Sequence, residues 1–384
     1  MFVCHLSLVD FRNYETLDLE LQAGPNLFVG SNGQGKTNLV EAVGYLSALG
    51  SHRVSTDHAM IRQGRDAAIV RARLRNGERE ALLEVQINRA GANRAQANRS
   101  PIKPKELPRY FSSVLFAPED LALVRGEPSG RRRFMDELLV LRTPRLAGVL
   151  ADYDRVLRQR NTLLKSARGL GGDRLGTLEL WDERLVALGS ELVEARTRLV
   201  AELDPEVSRA YEAIAGADHA AGLKSRLSIF GASSDDEESG ESRGGIVVAD
   251  VAAEAFRATL ARIRRSELDR GLTLAGPHRD DLALELNGLP ARGYASHGES
   301  WSFALALKLA AAAVLRRESS SGDPVLVLDD VFAELDESRR GRLAEAVGDF
   351  EQVLITAAVY DDVPASLASH VVRIEAGRVV TNDA

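Results

Sequence analysis

The sequence Gly30-Ser31-Asn32-Gly33-Gln34-Gly35-Lys36-Thr37 stands near the N-terminal end of this 384-residue chain. It fits the pattern GxxxxGK[ST] in full, and it lies between an apolar run that predicts a strand and apolar residues at helical spacing. Glycines allow such a loop to curl until its backbone N–H groups, together with the helix N-terminus, point at phosphate oxygens. The sequence therefore predicts a strand, a phosphate-binding loop and a helix in direct succession.

Two side chains of this loop carry the predicted chemistry. The Lys36 amine is expected to reach the β- and γ-phosphates of ATP, and the Thr37 hydroxyl is expected to bind Mg²⁺. The other loop residues and the following Asn38 are expected to contact the nucleotide. The alternative is a glycine-rich turn without a ligand, and the matching elements on both sides of the loop disfavour it.

A second stretch, Val325 to Asp330, is typical of a buried strand that ends in two carboxylates. Ligands collect at the carboxyl ends of strands in parallel α/β sheets, so Asp329 is predicted to contact Mg²⁺ directly or through water. Asp330 is predicted to polarise the attacking water as a general base. Alone, the pattern also fits a strand followed by an acidic turn. Together with Lys36, the two aspartates form the predicted catalytic set.

A third feature is the turn Ser296-His297-Gly298-Glu299, which precedes a predicted helix from Ser300 to Arg317. A small-residue turn that opens a helix binds anions because the first backbone N–H groups have no partner within the helix. An ordinary helix cap explains the same residues equally well. Only the position of the turn, shortly before the Asp329 strand, favours the functional interpretation.

Strand and helix signals change along the chain and predict three segments. Residues 1–128 and 271–384 alternate strands with helices and are expected to form one α/β domain. Residues 129–270 carry leucines at helical spacing, interrupted at residues 169–172, and are expected to form an inserted helical lobe. Within this lobe, residues 231–245 form an acidic, low-complexity loop that is expected to be mobile.

Composition excludes several classes of protein. The single cysteine, Cys4, rules out an internal disulfide framework and a cysteine-clustered metal site. No signal peptide is predicted, and the longest apolar run, Phe303 to Leu315, is too short to span a bilayer. A cytoplasmic protein without a membrane partner is therefore expected. The net charge of −7 argues against an overall basic coat for nucleic acid but does not exclude a local basic face.

The order of these motifs resembles that of the ABC-type ATPases, and residues 333–336 resemble their D-loop. More narrowly, the chain resembles the RecF family of bacterial recombination and replication-repair ATPases from residue 2 to about residue 360. The segments that carry this resemblance are Asp10-Phe-Arg-Asn-Tyr14, Gly30 to Asn38, Phe116-Ala-Pro-Glu-Asp-Leu121, Arg131-Arg-Arg-Phe-Met-Asp136, Gly276-Pro-His-Arg-Asp-Asp281 and Leu328-Asp-Asp-Val-Phe-Ala-Glu-Leu-Asp336.

The resemblance implies an α/β fold, namely an ABC-type ATPase head of mixed sheets around the phosphate-loop core, with the helical lobe inserted. It implies a weak Mg²⁺-dependent ATPase that forms an ATP-dependent homodimer, clamps DNA at gaps or junctions, and separates after slow hydrolysis. It also implies partnership with RecR, support for loading of the RecA recombinase, and a role in the SOS response. No residue indicates whether single-stranded, double-stranded or junction DNA is preferred.

Specific residues take roles from the same resemblance. Ser296 and Gly298 of one subunit are expected to contact the γ-phosphate bound at Lys36 of the other. Asp336 is expected to act across the same interface, and Arg12 to touch the base or phosphate of the nucleotide.

Two departures from the family pattern affect these expectations. Glu299 and Trp301 stand where the family usually has Gln and Arg, and a carboxylate near the triphosphate repels it unless it points away. Thr356 stands in place of the switch histidine of transporter ATPases, so hydrolysis is expected to be slow.

Basic residues at two places are candidates for contact with the DNA backbone. Arg53, Arg62 and Arg65 follow the helix of the phosphate loop, and Arg131, Arg132 and Arg133 begin the helical lobe. Basic runs are also common on solvated helix faces, so both interpretations stay open.

Two acidic or basic pairs are similarly ambiguous. Glu119 and Asp120 are suited to sensing Mg²⁺ or to capping a helix. His278 and Arg279 are suited to a nucleotide or DNA contact or to a structural turn.

Two other classes of function compete with the repair ATPase. The nucleotide-binding subunit of an ABC transporter is disfavoured by the missing switch histidine, the absence of a Leu-Ser-Gly-Gly-Gln string and the helical insertion. An SMC-like structural protein needs long heptad arms, which the short, interrupted helical block does not supply.

Overall fold

The computed structural model describes residues 1–54, 56–167, 175–216, 219–231, 241–319 and 322–380. The chain forms two compact units. The first unit contains Met1–Leu121, Arg209–Asp218 and Ser296–Ala384, and the second contains Ala122–Ser208 and His219–Ala295.

The described residues form the following elements. The strands, in chain order, are β1 (Phe2–Phe11), β2 (Tyr14–Glu20), β3 (Gly24–Val29), β4 (Ala67–Asn76), β5 (Arg79–Asn88), β6 (Arg94–Ala97), β7 (Ser100–Ile102), β8 (Ser113–Phe116), β9 (Ala221–Leu227), β10 (Glu241–Arg243), β11 (Asp281–Leu286), β12 (Leu289–Pro290), β13 (Val325–Asp329), β14 (Gln352–Ala357), β15 (His370–Glu375) and β16 (Arg378–Val380). The α-helices are α1 (Lys36–Ala48), α2 (Leu121–Arg125), α3 (Pro128–Arg142), α4 (Leu146–Ala167), α5 (Leu175–Ala215), α6 (Ser228–Gly231), α7 (Ala249–Arg270), α8 (Ala291–Tyr294), α9 (His297–Glu318) and α10 (Glu337–Val347).

One sheet of the first unit is antiparallel, with strand order β2-β1-β4-β5-β6-β7. Alternation places Leu6 and Leu8 of β1 in the core, as the period of two in a half-buried strand requires. Val3 is buried as well, because the pairing register with β4 shifts between Val3 and His5. The pair Asn76-Gly77 predicts a hairpin between residues 67–75 and 79–87, and the antiparallel pairing of β4 with β5 confirms it. The turn contains Gly77 in the left-handed region at φ 57°.

The second sheet of the first unit carries the phosphate loop. Its order is β16-β15-β3-β14-β13-β8, and its strands are parallel except for β16. Every residue of β13 and β14 is buried, as expected for strands covered on both faces. The carboxyl ends of β3, β13 and β14 therefore meet at one edge, where β3 leads directly through the loop into α1.

The apolar spacing after the phosphate loop predicts a helix from Thr37 to Leu49 that Gly50 closes, and α1 differs slightly from this range. Leu39, Val43 and Leu46 of α1 are fully buried, which confirms the helical spacing. The helix ends earlier, because Leu49 adopts a left-handed conformation at φ 53° and donates its N–H to the Tyr45 carbonyl.

The second unit contains a sheet that the predicted all-helical lobe lacks. Its order is β10-β9-β11-β12, and β9 pairs with β11 in antiparallel register. This pairing corrects the predicted domain boundary, because residues 271–295 join the second unit through β11 and do not belong to the ATPase head.

Two predictions concern residues that are partly or wholly outside the described chain. The acidic loop predicted over 231–245 falls mostly on residues 232–240, which are not described, but its later part forms β10. The interruption at residues 169–172 also lies outside the described residues.

Helix α9 is the only helix within the described ranges that is long and apolar enough to cross a membrane. In its most apolar window, 78% of the residues are buried inside the protein, which is typical of a core helix.

Candidate nucleotide-binding site

The phosphate loop is held in a shape that requires glycine at two positions. Gly35 precedes α1 with a φ of 116°, and a Cβ there would lie 2.7 Å from Asn13 Nδ2. The Tyr14 hydroxyl donates to the Gly35 carbonyl at 3.0 Å. At the other end of the loop, a Cβ on Gly30 would lie 2.2 Å from the carbonyl oxygen of Ile374. A larger residue at either position forces the loop away from its supports.

The Lys36 amine lies over the curl of this loop. Lys36 is only 3% exposed, and its Nζ donates to the carbonyl oxygens of Gly30 at 2.7 Å and Ser31 at 3.2 Å. Asn32 and Gly33, at the tip of the loop, are exposed. A fixed positive charge beside exposed backbone amides is the arrangement that P-loops use to bind the β- and γ-phosphates.

Residues that sequence reasoning missed support the loop from the C-terminal end of the chain. The Ala376 N–H donates to Gln34 Oε1 at 2.5 Å, and the Gly377 N–H donates to the Gln34 carbonyl at 2.9 Å. Both donors lie in the turn between β15 and β16. The signal was present, because Ala376-Gly377 separates two short runs of alternating apolar residues.

Three side chains from distant parts of the sequence converge next to the loop. Thr37 Oγ1 donates to Asp329 Oδ1 at 3.0 Å, although 292 positions separate the two residues. Thr356 Oγ1 donates to the same oxygen at 2.6 Å, and it accepts the backbone N–H of Asp330 at 2.9 Å. The predicted meeting of the phosphate loop with the acid-terminated strand is therefore present in the structure.

The electrostatics of this cluster favour a cation. The pKa of Asp329 is raised to about 6, chiefly by burial. The charges of Asp330 and Glu119 contribute to the rise, and the hydrogen bonds from Thr356 and Thr37 oppose it. A buried carboxylate that receives only hydroxyl donors is costly when ionised.

The donor set also fits a hard divalent ion, although the described residues contain no cluster of three or more His, Cys, Asp or Glu side chains that holds a metal alone. A hydroxyl and a carboxylate oxygen, completed by phosphate oxygens and water, suit Mg²⁺. Thr37 and Asp329 are the residues that would hold it.

Asp330 occupies an unusual backbone conformation. Its φ is 51°, in the left-handed region that L-residues rarely adopt, and its side chain is half-buried. Such a conformation costs about 1 kcal/mol or more and is often found at active sites. The bond from its N–H to Thr356 Oγ1 holds this conformation.

Arg12 is held by α1. Its guanidinium donates to Glu41 at 2.8 and 2.6 Å and to the Ala59 carbonyl at 2.8 Å. Burial alone would raise the pKa of Glu41, but the hydrogen bonds from Arg12 and Ser51 and the charges of Arg12 and Arg53 keep it below its ordinary value. The structure thus pairs Arg12 with a carboxylate, and the predicted nucleotide contact has to compete with this ion pair.

The first group of predicted DNA contacts is also largely neutralised by acids. Arg53 donates to Asn38 Oδ1 at 2.9 Å and lies 3.9 Å from Glu41. Arg62 and Arg65 both pair with Asp10, at 3.6 and 3.3 Å. Glu15 lies 3.2 Å from Arg62.

The second group does not form a basic face, so this prediction is wrong for Arg131. Arg131 is 4% exposed and makes a two-point ion pair with Asp281 at 2.7 and 2.8 Å. Arg132 donates to the carbonyl of Asp280 at 2.8 Å, and burial lowers its pKa. Of the three arginines in this group, only Arg133 is exposed. Sequence reasoning missed the burial because Asp281 lies 150 positions away.

The Ser296 turn is a reciprocal helix cap in this structure. Ser296 Oγ accepts the N–H of Glu299 at 3.3 Å, and Glu299 Oε2 accepts the N–H of Ser296 at 2.7 Å. Glu299 thus points back along its own turn. Trp301 is buried and donates its indole N–H to His297 Nε2 at 3.0 Å. A Cβ on Gly298 would lie 2.6 Å from a guanidinium nitrogen of Arg339, so this glycine leaves room for an arginine from α10.

Two further acidic candidates, Asp336 and Asp120, have structural partners. Asp336 caps α10 by accepting the N–H of Arg339 at 2.9 Å. Asp120 accepts the N–H of Ala117 at 2.9 Å and pairs with Lys308 at 2.9 Å, which favours the capping interpretation.

The chain matches the RecF/RecN/SMC N-terminal domain family over residues 2–378. A relative from Clavibacter michiganensis subsp. michiganensis, named DNA replication and repair protein RecF, is 66% identical over 387 residues that cover 99% of this chain and 96% of the relative. The protein of the same name from Leifsonia xyli subsp. xyli is 64% identical, and the alignment covers 99% of this chain and 99% of that protein.

Solved structures agree with this result. A recombination mediator protein RecF with ATPrS in the RecFOR pathway is 28% identical, has a TM-score of 0.85, and aligns over 98% of this chain and 97% of that protein. An Smc head bound to the C-terminal winged-helix domain of ScpA is 15% identical with a TM-score of 0.55, over 99% of this chain and 97% of that one, and shows the fold alone. These similarities support the ABC-type ATPase head fold and do not favour a transporter subunit.

Proposed function

This chain belongs to the RecF family of DNA replication and repair proteins, and we propose that it is an ATP-dependent DNA-binding protein of recombinational repair. In this proposal the chain is a weak, Mg²⁺-dependent ATPase. ATP binding joins two copies, the dimer clamps DNA at gaps or junctions, and hydrolysis to ADP and phosphate releases it.

One observation carries the ATPase proposal. The Thr37 hydroxyl lies 3.0 Å from Asp329 Oδ1, so the start of the loop helix and the end of a central parallel strand form one oxygen-lined site. The buried Lys36 amine lies on the adjacent loop. Together these groups supply a cation for phosphate and oxygen ligands for Mg²⁺.

Each side chain has a defined task in hydrolysis. Lys36 and the loop N–H groups bind the β- and γ-phosphates and orient the terminal phosphoryl group. Bound Mg²⁺ would neutralise the charge that develops on these phosphates. Asp330 accepts a proton from the attacking water as general base. Thr356 fixes the backbone of Asp330 through the bond at 2.9 Å.

Hydrolysis is proposed to be slow for a reason visible at Thr356. Its hydroxyl already donates to Asp329 and accepts from the Asp330 N–H, so it holds the two acids and has no proton-transfer capacity like that of an imidazole. The rate of ATP hydrolysis therefore sets how long the dimer stays bound to DNA.

The dimer is proposed to complete the site from a second copy. Ser296 and Gly298 begin α9, a 22-residue helix whose N-terminus attracts an anion. The γ-phosphate held at Lys36 of one subunit is the proposed ligand of this turn in the other, with Asp336 at the same interface. Binding then requires Glu299 to leave its cap, because its carboxylate now accepts the Ser296 N–H.

The cellular role follows from family membership. Partnership with RecR, support of RecA loading at gaps, participation in the SOS response and a cytoplasmic location are proposed on that basis. One solved relative is described as part of a RecFOR pathway, which supports the choice of RecR.

Sedimentation tests the ATP-dependent dimer. The wild-type chain should change from monomer to dimer when ATP and Mg²⁺ are added, and Lys36→Arg should remain monomeric because an arginine does not fit the loop carbonyls. Lys224→Arg, at an exposed ion pair with Glu285, is the matched control and should dimerise normally. A wild-type chain that stays monomeric with ATP and Mg²⁺ contradicts the sandwich.

Fluorescence anisotropy tests the DNA proposal. Labelled duplex, single-stranded and gapped DNA should bind in the presence of ATP, and the affinity should fall steeply as salt is raised. Absence of binding to all three would reject a DNA-clamping role.

A further inference from the structure

Most of the arginines predicted to contact DNA or nucleotide are paired with acids in the structure. Arg12, Arg53, Arg62 and Arg65 all lie beside carboxylates, and Arg131 belongs to a buried ion pair of the second unit. A chain with a net charge of −7 binds a polyanion only through a restricted patch of unpaired cations. A nucleic-acid surface on this chain therefore requires exposed cations without acidic partners.

Such cations are concentrated at one edge of the antiparallel sheet. Residues 91–110 contain five cations and one carboxylate, a formal charge of +4 in twenty residues. We call this set the basic edge: Arg94, Arg99, Lys103, Lys105 and Arg109. All five side chains are exposed.

The fold explains why these side chains face solvent together. Ala95 and Ala97 of β6 are buried, so the alternation of the strand turns Arg94 outward. The β6–β7 turn carries Arg99 in a left-handed conformation at φ 66°. β7 is the last strand of the sheet, and a 3-10 segment, Pro104–Arg109, follows it. The five side chains of the basic edge therefore project from one continuous stretch of backbone that is held by the β6–β7 pairing and the 3-10 segment.

The charges of the basic edge are not neutralised within the described chain. None of its five side chains forms an ion pair with a carboxylate of the described residues, in contrast to Arg71 and Arg75 on β4, which pair with Glu84 and Glu80. The single acid of the segment, Glu106, accepts the backbone N–H of Lys103 at 3.0 Å and caps the 3-10 segment.

A shallow depression extends the basic edge onto the outer face of the sheet. It has a volume of about 330 Å³ and is lined by Arg73, Glu80, Ala81, Leu82, Asn98 and Arg99. Arg73 is exposed and, within the described chain, pairs with no carboxylate. Arg73 and Arg99 bring two cations to the depression, and its one carboxylate, Glu80, is paired with Arg75.

Protection of the sheet edge is the simpler explanation of these residues. Lysine and proline on an edge strand prevent pairing with another sheet, and Pro101 lies in β7. Edge protection, however, concerns only the few residues of β7. It explains neither the exposed arginines of β6 and of the turn nor those beyond the strand.

We propose that the basic edge binds the phosphate backbone of DNA. This inference rests on the proposed DNA-binding function and names the surface that performs it. Duplex DNA presents one negative charge per about 1.7 Å of helix axis, so a rim of unpaired cations on a rigid backbone meets several phosphates at once. Backbone contacts of this kind position the protein and read no sequence, which suits a protein that acts wherever DNA is damaged.

The experiment compares two triple variants with equal loss of charge. The test variant is Arg99→Gln, Lys103→Gln and Lys105→Gln. The control variant is Arg265→Gln, Arg373→Gln and Arg378→Gln, three exposed cations outside the antiparallel sheet. Affinity for duplex and single-stranded DNA is measured by anisotropy with ATP at several salt concentrations, and ATP binding and the thermal midpoint are measured for each variant.

The test variant should bind duplex DNA more weakly, and the slope of log K against log salt should become shallower by about 0.9 for each lost phosphate contact, thus by about 2.7 for three. For single-stranded DNA the change is about 0.7 per contact. The control variant should keep the wild-type slope, and both variants should keep ATP binding and thermal midpoint.

Three outcomes overturn the inference while leaving the proposed function intact. The test variant keeps the wild-type slope and affinity, or the control variant loses as much as the test variant, or the test variant binds DNA normally but loses affinity for polyglutamate, which would make the surface a contact for an acidic protein. If the wild-type chain itself binds no DNA, the proposed function fails first.

Discussion

Two buried aspartates, one in each unit, show how differently the same chemistry is used. Burial raises the pKa of Asp329 and of Asp280 to about 6 in both cases. Both accept hydroxyl donors: Thr37 and Thr356 for Asp329, and Ser228 at 2.9 Å for Asp280. Titration behaviour alone therefore does not distinguish the catalytic candidate from the other aspartate.

The surroundings distinguish them. Asp329 ends a parallel strand beside the phosphate loop, and the neighbouring Asp330 and Glu119 add negative charge that calls for a cation. Asp280 belongs to the turn 276–281, where the charges of Arg196 and Arg132 oppose the rise in its pKa. Its Oδ2 is buried without a hydrogen-bond partner. Asp329 therefore lies where the proposed Mg²⁺ and nucleotide would bind, whereas Asp280 accepts hydrogen bonds within a turn.

The neighbours of Asp280 strengthen this contrast. His278 Nδ1 forms a hydrogen bond of 2.8 Å with the Tyr153 hydroxyl. Burial lowers the pKa of His278 to about 3, so its imidazole stays neutral. The contacts of His278 favour a structural turn over a nucleotide or DNA contact at residues 276–281. A raised pKa of a carboxylate therefore indicates a functional site only where the carboxylate also lies beside other functional groups.

The largest expected difference between the two aspartates is catalytic. Asp329→Asn should reduce ATP hydrolysis by about a hundredfold or more, because metal-assisted charge stabilisation is worth several kcal/mol. Asp280→Asn is the matched control and should hydrolyse ATP at nearly the wild-type rate. Phosphate release at saturating ATP measures both. Equal losses in the two variants would remove the distinction drawn above.

A smaller difference concerns stability against pH. The pKa of Asp280 is about 6 in the folded protein, and its ordinary value is 3.8. Asp280 therefore contributes its full stabilisation of the folded protein below about pH 3.8, and this contribution is lost as pH rises through about 6. The shift corresponds to about 3 kcal/mol. Wild type should therefore gain stability relative to Asp280→Asn when pH falls from about 7 to about 4.

Urea denaturation of the two chains at several pH values measures this gain. Asp152→Asn, at an exposed ion pair with Arg155, serves as the control and should follow wild type. Parallel curves for wild type and Asp280→Asn would show that Asp280 does not titrate as described.

The smallest expected effects come from the hydroxyl partners. Ser228→Ala removes the hydroxyl near Asp280 Oδ1 and should lower the free energy of unfolding by about 1–2 kcal/mol without changing ATP hydrolysis. Thr356→Val removes the donor to Asp329 and should slow hydrolysis as well. Thr356→Ser keeps the hydroxyl and should restore the rate. If Ser228→Ala slows hydrolysis as much as Thr356→Val, the two hydroxyls do not differ in role.

The meeting of the phosphate loop with the acid-terminated strand was predictable because both signals are local. The phosphate loop and the acid-terminated strand are each contained in fewer than ten consecutive residues, and their strand and helix contexts are equally short. The hairpin at Asn76-Gly77 was predictable for the same reason.

The second unit was harder to predict because its contacts join distant residues. β9 and β11 pair across about sixty positions, and neither strand has a turn signal that links it to the other. Arg131 looked like part of a solvated basic run, because its partner Asp281 is far away in sequence. Local patterns contain no information about such pairs, so a run of charges in the sequence does not show which of its side chains are buried.

The C-terminal support of the phosphate loop has a consequence for biosynthesis. Residues 374–377 contact Gly30 and Gln34, which are made more than three hundred residues earlier. A growing chain on the ribosome thus lacks a finished loop until residue 377 has been added and released from the exit tunnel. Nascent chains are therefore expected not to bind nucleotide. Binding is expected only after residues 374–377 have been translated and can support the loop.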